Sequence, residues 1–139
     1  MIQSVYGSTG FPSKRGSVAV EYGLVLPVLL LFVLGIMDSG RLLWTYATLN
    51  RAAEAAARCA AVNPVTCGTA AQIQSYAVGQ AYGLSISTAA FTPTAAACGS
   101  RVAATYSFQF IIPWIGPIQP YGPSNRLTLN ATACYPPSH

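Results

Sequence analysis

Six residues near the amino terminus have the types and spacing for chemistry: Lys14, Arg15, Gly16, Ser17, Glu21 and Tyr22. Two cations stand before a glycine, and a carboxylate follows five residues after it. A peptide bond after Gly16 meets no side chain on its amino side. Cutting there would make Ser17 a new amino terminus and Glu21 the fifth residue of the product. The new ammonium and the carboxylate would then lie at one depth. On neighbouring subunits they would neutralise each other where an unpaired charge is costly.

The element that positions them is a membrane-length apolar run. The twenty residues from Val18 to Met37 hold one charge, Glu21, and as a helix they span roughly 30 Å, enough to cross a bilayer. The charge-free part, Tyr22 to Met37, covers only about 24 Å, so Glu21 is expected near or inside the hydrocarbon boundary. A carboxylate there costs about 2.5 to 3.5 kcal/mol at the bilayer centre and less toward the edge. Snorkelling to the interface is the plainer reading of Glu21, and pairing with a cleaved neighbour is the sharper one. Within the run, Pro27 removes a backbone donor and crowds the carbonyl of Gly23. The pair predicts a kink or a locally melting stretch.

These residues resemble the processing and assembly site of type IV prepilins, and the Glu21-Tyr22 pair is similar to the tight-adherence (Flp) branch. From Gly16 to Val62 the sequence resembles the TadE-like pseudopilin family, with its acidic-aromatic pair, Leu26-Pro27, Gly40-Arg41 and an alanine-rich, arginine-containing extension. The resemblance implies a pilin-like α+β fold: a long amino-terminal transmembrane helix, then a short helix and a small antiparallel β-sheet. It also implies cleavage by a prepilin peptidase and assembly with other pilin or pseudopilin subunits on the tight-adherence inner-membrane platform. The outcome would be a pilus for surface attachment and biofilm formation. Pilins lose helicity over a stretch comparable to Gly23–Pro27 on entering the filament, and the same is implied here. The expected location is the bacterial inner membrane, amino terminus cytoplasmic and the remainder periplasmic, with incorporation into an extracellular pilus as a further expectation. The alternatives are a type II secretion-like pseudopilin, a major filament pilin, and an uncleaved anchor displaying a binding domain. A conventional signal peptide fits less well, because Met37-Asp38-Ser39 is a poor cleavage site.

Composition narrows the class. Of 139 residues 53% are hydrophobic and 7% charged, far below the charged content of an ordinary soluble domain. The formal charge of +4 falls to +2 once Lys14 and Arg15 leave with the leader. The five remaining arginines are scattered, so nucleic acid is not an expected partner. The expected domains are a leader over 1–16 without structure of its own, a long helix over 17–62, and an exported domain over 63–139. Trp44 and Tyr46 suit an interfacial belt, and Glu54 with Arg58 has the spacing of an ion pair. Helix termination is expected at Asn63-Pro64. The alanines between Ala52 and Ala61 predict close approach of a sheet or of neighbouring helices, with lateral packing in a bundle favoured.

Beyond the long helix, Thr69 to Leu84 has helical apolar spacing, and Leu84, Ile86 and Thr88 alternate as a first strand ending by Pro93. Arg101 to Ile112 is the clearest strand, with Arg126 to Cys134 its partner. Between them, Pro113 to Asn125 reads as a long surface loop, where Trp114, Ile115, Ile118 and Tyr121 form a candidate partner patch. Four cysteines, Cys59, Cys67, Cys98 and Cys134, all follow the apolar run, as expected in an oxidising compartment. Of three possible pairings, spacing favours Cys59 with Cys67, leaving Cys98 with Cys134. A regular hairpin would put Cys98 on the apolar side and Cys134 on the polar side of their strands, so that second bridge needs Gly99 to bend the chain. Zinc is disfavoured by the loose cysteine spacing and the single histidine.

No catalytic apparatus is visible. From Ala55 to His139 there is no aspartate or glutamate, and the one histidine is residue 139, so acid–base pairs and triads have no members. No cofactor is expected. Asn130-Ala131-Thr132 is a glycosylation sequon that its strand position makes incidental.

Overall fold

The computed structural model describes residues 14–111 and 126–137, with side chains from residue 19 onward. The chain divides into two units, Met1–Leu34 and Gly35–His139, and the boundary falls inside one helix. The element order is α1 (Lys14–Val62), α2 (Ala70–Gln80), a turn of 3-10 helix (Thr88–Ala90), β1 (Phe91–Ala96), β2 (Gly99–Gln109) and β3 (Arg126–Tyr135). This is the α+β arrangement implied by the sequence. Residues 1–13 of the expected leader and the 113–125 loop with its aromatic patch lie outside the described residues. Lys14 to Gly16, expected to lack structure, are the first residues of α1.

In the first unit α1 is wholly apolar from Tyr22 onward, and every described residue from Ala19 to Leu34 is exposed. Its backbone remains helical through Gly23 and Pro27. The isolated chain is thus helical here, while the loss of helicity implied by the resemblance concerns the assembled filament. Chemically, Pro27 still has no N–H to give the Gly23 carbonyl.

In the second unit the same helix becomes a core element. Its buried or half-buried positions include Asp38, Leu42, Thr45, Leu49, Ala52 and Ala56, spaced alternately by four and three residues. That spacing is one helix face. Ala52, Ala53, Ala56 and Ala57 are all buried in the cluster that contains Phe91, Val102, Ala104 and Leu129. The small side chains therefore serve the chain's own core, which corrects the expectation of lateral bundle packing. Alanine permits close approach, and the sheet takes it up.

α1 stops at Asn63-Pro64. Asn63 accepts the amide of Thr66 on its side chain at 3.2 Å and the amide of Cys67 on its backbone carbonyl at 2.9 Å. The chain then crosses close over itself, and a Cβ on Gly68 would collide with the Pro64 carbonyl. Thr69 begins α2 with a capping box: its hydroxyl accepts the Gln72 amide at 3.3 Å, and the Gln72 side chain accepts the Thr69 amide at 3.1 Å. Ile73, Ala77 and Ala81, four apart, face the core.

The sheet is antiparallel with order β1-β2-β3. Val102 faces Ala133, Ala104 faces Ala131, Tyr106 faces Leu129 and Phe108 faces Leu127, so the apolar positions of the two long strands share one side. The first strand is not where alternation suggested. Residues 84–87 are irregular, and β1 starts at Phe91, fully buried opposite Ala104, and runs through Pro93. Proline is tolerated because β1 is an edge strand, where a missing N–H on the outer side costs nothing.

Candidate functional site

Two constellations matter, one in each unit. The first is the amino-terminal group. Lys14, Arg15, Gly16 and Ser17 lie in the opening turns of α1, so the Gly16–Ser17 peptide is in helical backbone. Ser17 and Glu21 are one turn apart in sequence and so lie on the same face of the helix. Glu21 is exposed, Tyr22 beside it is exposed, and the flanking apolar side chains from Val20 to Leu34 are uncovered as well. Among the described residues Glu21 has no ion pair. An apolar helical surface with a carboxylate on it is stable only when lipid or other helices cover it. The stretch qualifies by length and composition as a candidate membrane span, with none of its most apolar part buried.

The second constellation sits where α1 enters the folded body. Asp38 is 4% exposed and directs both carboxylate oxygens at the backbone N–H of Ile111, which donates at 3.0 and 3.3 Å. Arg41, one turn on, pairs with the same carboxylate at 3.1 Å and lies over the Phe108 ring, 5.4 Å from its centroid. Thr45 donates its hydroxyl to the Arg41 carbonyl at 2.8 Å. Phe108 stands edge-on to Phe110, centroids 5.1 Å apart. Helix and strand are thus joined by charge, ring and backbone at one point. Sequence reasoning passed over Asp38, although its place on the four-three spacing with Leu42, Thr45 and Leu49 marks it as inward-facing. Trp44 and Tyr46, next to this point, are exposed. The Glu54–Arg58 pair expected from spacing is not formed, since the ion pair present among the described residues is Arg41–Asp38.

All four cysteines are in disulfides, Cys59–Cys67 and Cys98–Cys134, with Cα atoms 5.7 and 6.2 Å apart. Strand parity does not oppose the second bridge, because Cys98 lies in the β1–β2 turn, outside the alternation. Gly99 has φ of +115°, and a Cβ there would meet the Tyr135 carbonyl and lie 2.8 Å from the Cα of Pro136. Only glycine lets the turn close against β3.

Fold and site together define a small α+β protein carried on one helix whose first half is a candidate membrane span. Residues 16–58 match the model of the family described as TadE-like protein, so this stretch of the chain is similar to that family. No curated protein and no solved structure matches the chain.

Proposed function

We propose that the chain is a TadE-like minor pilin or pseudopilin, cleaved between Gly16 and Ser17 by a prepilin peptidase and then taken into a tight-adherence pilus machine. The observation that carries this reading is the uncovered apolar helix bearing Glu21 inside a TadE-like segment. Cleavage supplies an ammonium at Ser17, and a neighbouring subunit's Glu21 receives it while both helices remain in lipid. Lateral association is favourable because each charge is otherwise unpaired in a low-dielectric layer. Because Gly16–Ser17 lies in helical backbone, the peptidase must unwind the opening turn of α1 to reach the bond. Gly16 is the weakest helix former in that turn and eases the opening.

In this reading the amino terminus faces the cytoplasm and the disulfide-clipped body faces the periplasm. The role is structural rather than enzymatic: the body has no carboxylate beyond Glu54, and its thiols are all paired. Surface attachment and biofilm formation follow from the pilus and not from a reaction on this chain. The test is the amino-terminal mass of the protein purified from membranes. A chain beginning at Ser17 supports the reading, and one retaining Met1 overturns it.

A further inference from the structure

We infer that the outer edge of β3, with the arginine-bearing flank of α1 beside it, receives an extended acidic polypeptide segment from a protein other than this one. The two edges of the sheet differ. β1 carries Pro93, which has no N–H to offer, and the Gln74 side-chain amide donates to the Phe91 carbonyl at 2.8 Å. Among the described residues β3 has no such guard. Among the described residues it pairs with β2 alone, contains no proline over ten residues, and has no charge between Leu127 and Tyr135. Such an edge presents a row of backbone N–H and C=O groups that can take an added strand.

Beside the end of that strand lies an open groove of about 520 Å³, between Cys134 and Tyr135 on β3 and Arg51, Glu54 and Arg58 on α1. Neither arginine has an ion pair among the described residues, so the groove is net cationic. An incoming strand bearing carboxylates would satisfy the edge with its backbone and the arginines with its side chains. A second copy cannot do this. The chain's three acids, Glu21, Asp38 and Glu54, all lie in α1, and none of its strands carries one. The occupant is therefore a different polypeptide. This inference does not depend on cleavage at Gly16, so it can fail while the proposed function stands.

The test uses the full chain in phosphatidylcholine nanodiscs and fluorescein-labelled peptides of sequence TVEVEVT, TVKVKVT and TVEVEVT methylated on alternate backbone nitrogens. We expect saturable binding of the glutamate peptide, with amide shifts at Thr132–Tyr135 and not at Phe91–Ala96. The lysine peptide should bind at least about tenfold more weakly, as close charge pairs at interfaces do. Methylation should remove binding, and the Arg51→Glu/Arg58→Glu variant should reverse the preference between the two charged peptides. Equal binding of the acidic and basic peptides, survival of binding after methylation, or absence of binding would overturn the inference. So would concentration-dependent pairing of the chain with itself through β3, or occupation of the groove by polygalacturonate in place of the peptide. The methylation arm needs no variant protein, so a misfolded variant does not stop the test.

Discussion

The carboxylate of Asp38 accepts the backbone N–H of Ile111 across 73 residues of sequence, at 3.0 and 3.3 Å. Ile111 comes just after the β2–β3 ladder, which closes at Gln109 with Arg126, so strand pairing does not reach its amide. The helix supplies the acceptor. Arg41 is half exposed and adds little by itself, whereas the hydrogen bond to the buried Asp38 carboxylate governs where α1 meets the end of β2. We expect Asp38→Ala to lower stability by about 1–3 kcal/mol, the range for a hydrogen bond to a charged group, and Asp38→Asn by less, because one oxygen remains. Thermal unfolding, with hydrogen exchange at the Ile111 amide, checks this. Unchanged exchange in Asp38→Ala would remove the anchoring role.

The alanine face of α1 gives a second expectation. Ala53 and Ala56 are fully buried, while Ala55 between them is only half-buried. Placing leucine at Ala53 or Ala56 should overpack the core and cost about 1–3 kcal/mol or more, whereas Ala55→Leu should be close to neutral. Chemical denaturation of the three variants separates them. Equal tolerance at all three would return the alanines to the intersubunit packing that their spacing alone suggested.

Much of this was legible because period and punctuation agree. Val102 to Phe108 alternate as a half-buried strand should, Asn63-Pro64 ends the helix, and the apolar spacing after Thr69 marks the second helix. What misled was local alternation with no partner. Leu84, Ile86 and Thr88 alternate, but strand pairing begins only at Phe91, where β2 can receive it. Propensity does not say which alternating run finds a neighbour. Glu21 was visible as an isolated charge in an apolar run. Asp38 was not, because its partner is a backbone amide distant in sequence, just past the end of β2, which no side-chain pattern announces. The Cys98 parity conflict dissolved for a related reason: a turn residue belongs to neither face.

The two disulfides should differ in worth. Cys59–Cys67 closes a separation of 8 residues and Cys98–Cys134 one of 36. On the chain-entropy account these contribute about 2.5 and about 4 kcal/mol respectively, so paired alanine replacement of Cys98 and Cys134 should be the more damaging by roughly 1 kcal/mol. Denaturant midpoints of the two double variants test the order. Gly99→Ala should resemble the larger loss, since its Cβ meets the strand to which Cys98 is bridged.

Glu21 should separate assembly from folding. It lies in the Met1–Leu34 unit, is exposed, and takes no part in the core built from Asp38 onward. Glu21→Ala should therefore leave the unfolding transition of the body unchanged and, by removing a charge from the apolar run, should not hinder membrane insertion. Cleavage after Gly16 should also persist, because the basic pair and the glycine are untouched. What should fall is recovery of the chain with other pilus subunits, by about tenfold or more if the Ser17 ammonium loses its partner in lipid. Glu21→Gln keeps the shape and removes the charge, so it should behave like Glu21→Ala. Membrane fractionation, amino-terminal mass and co-purification read the three steps separately. If both variants are cleaved and co-purify at the unsubstituted level, the charge at residue 21 has no part in association, and the helix is held by packing alone.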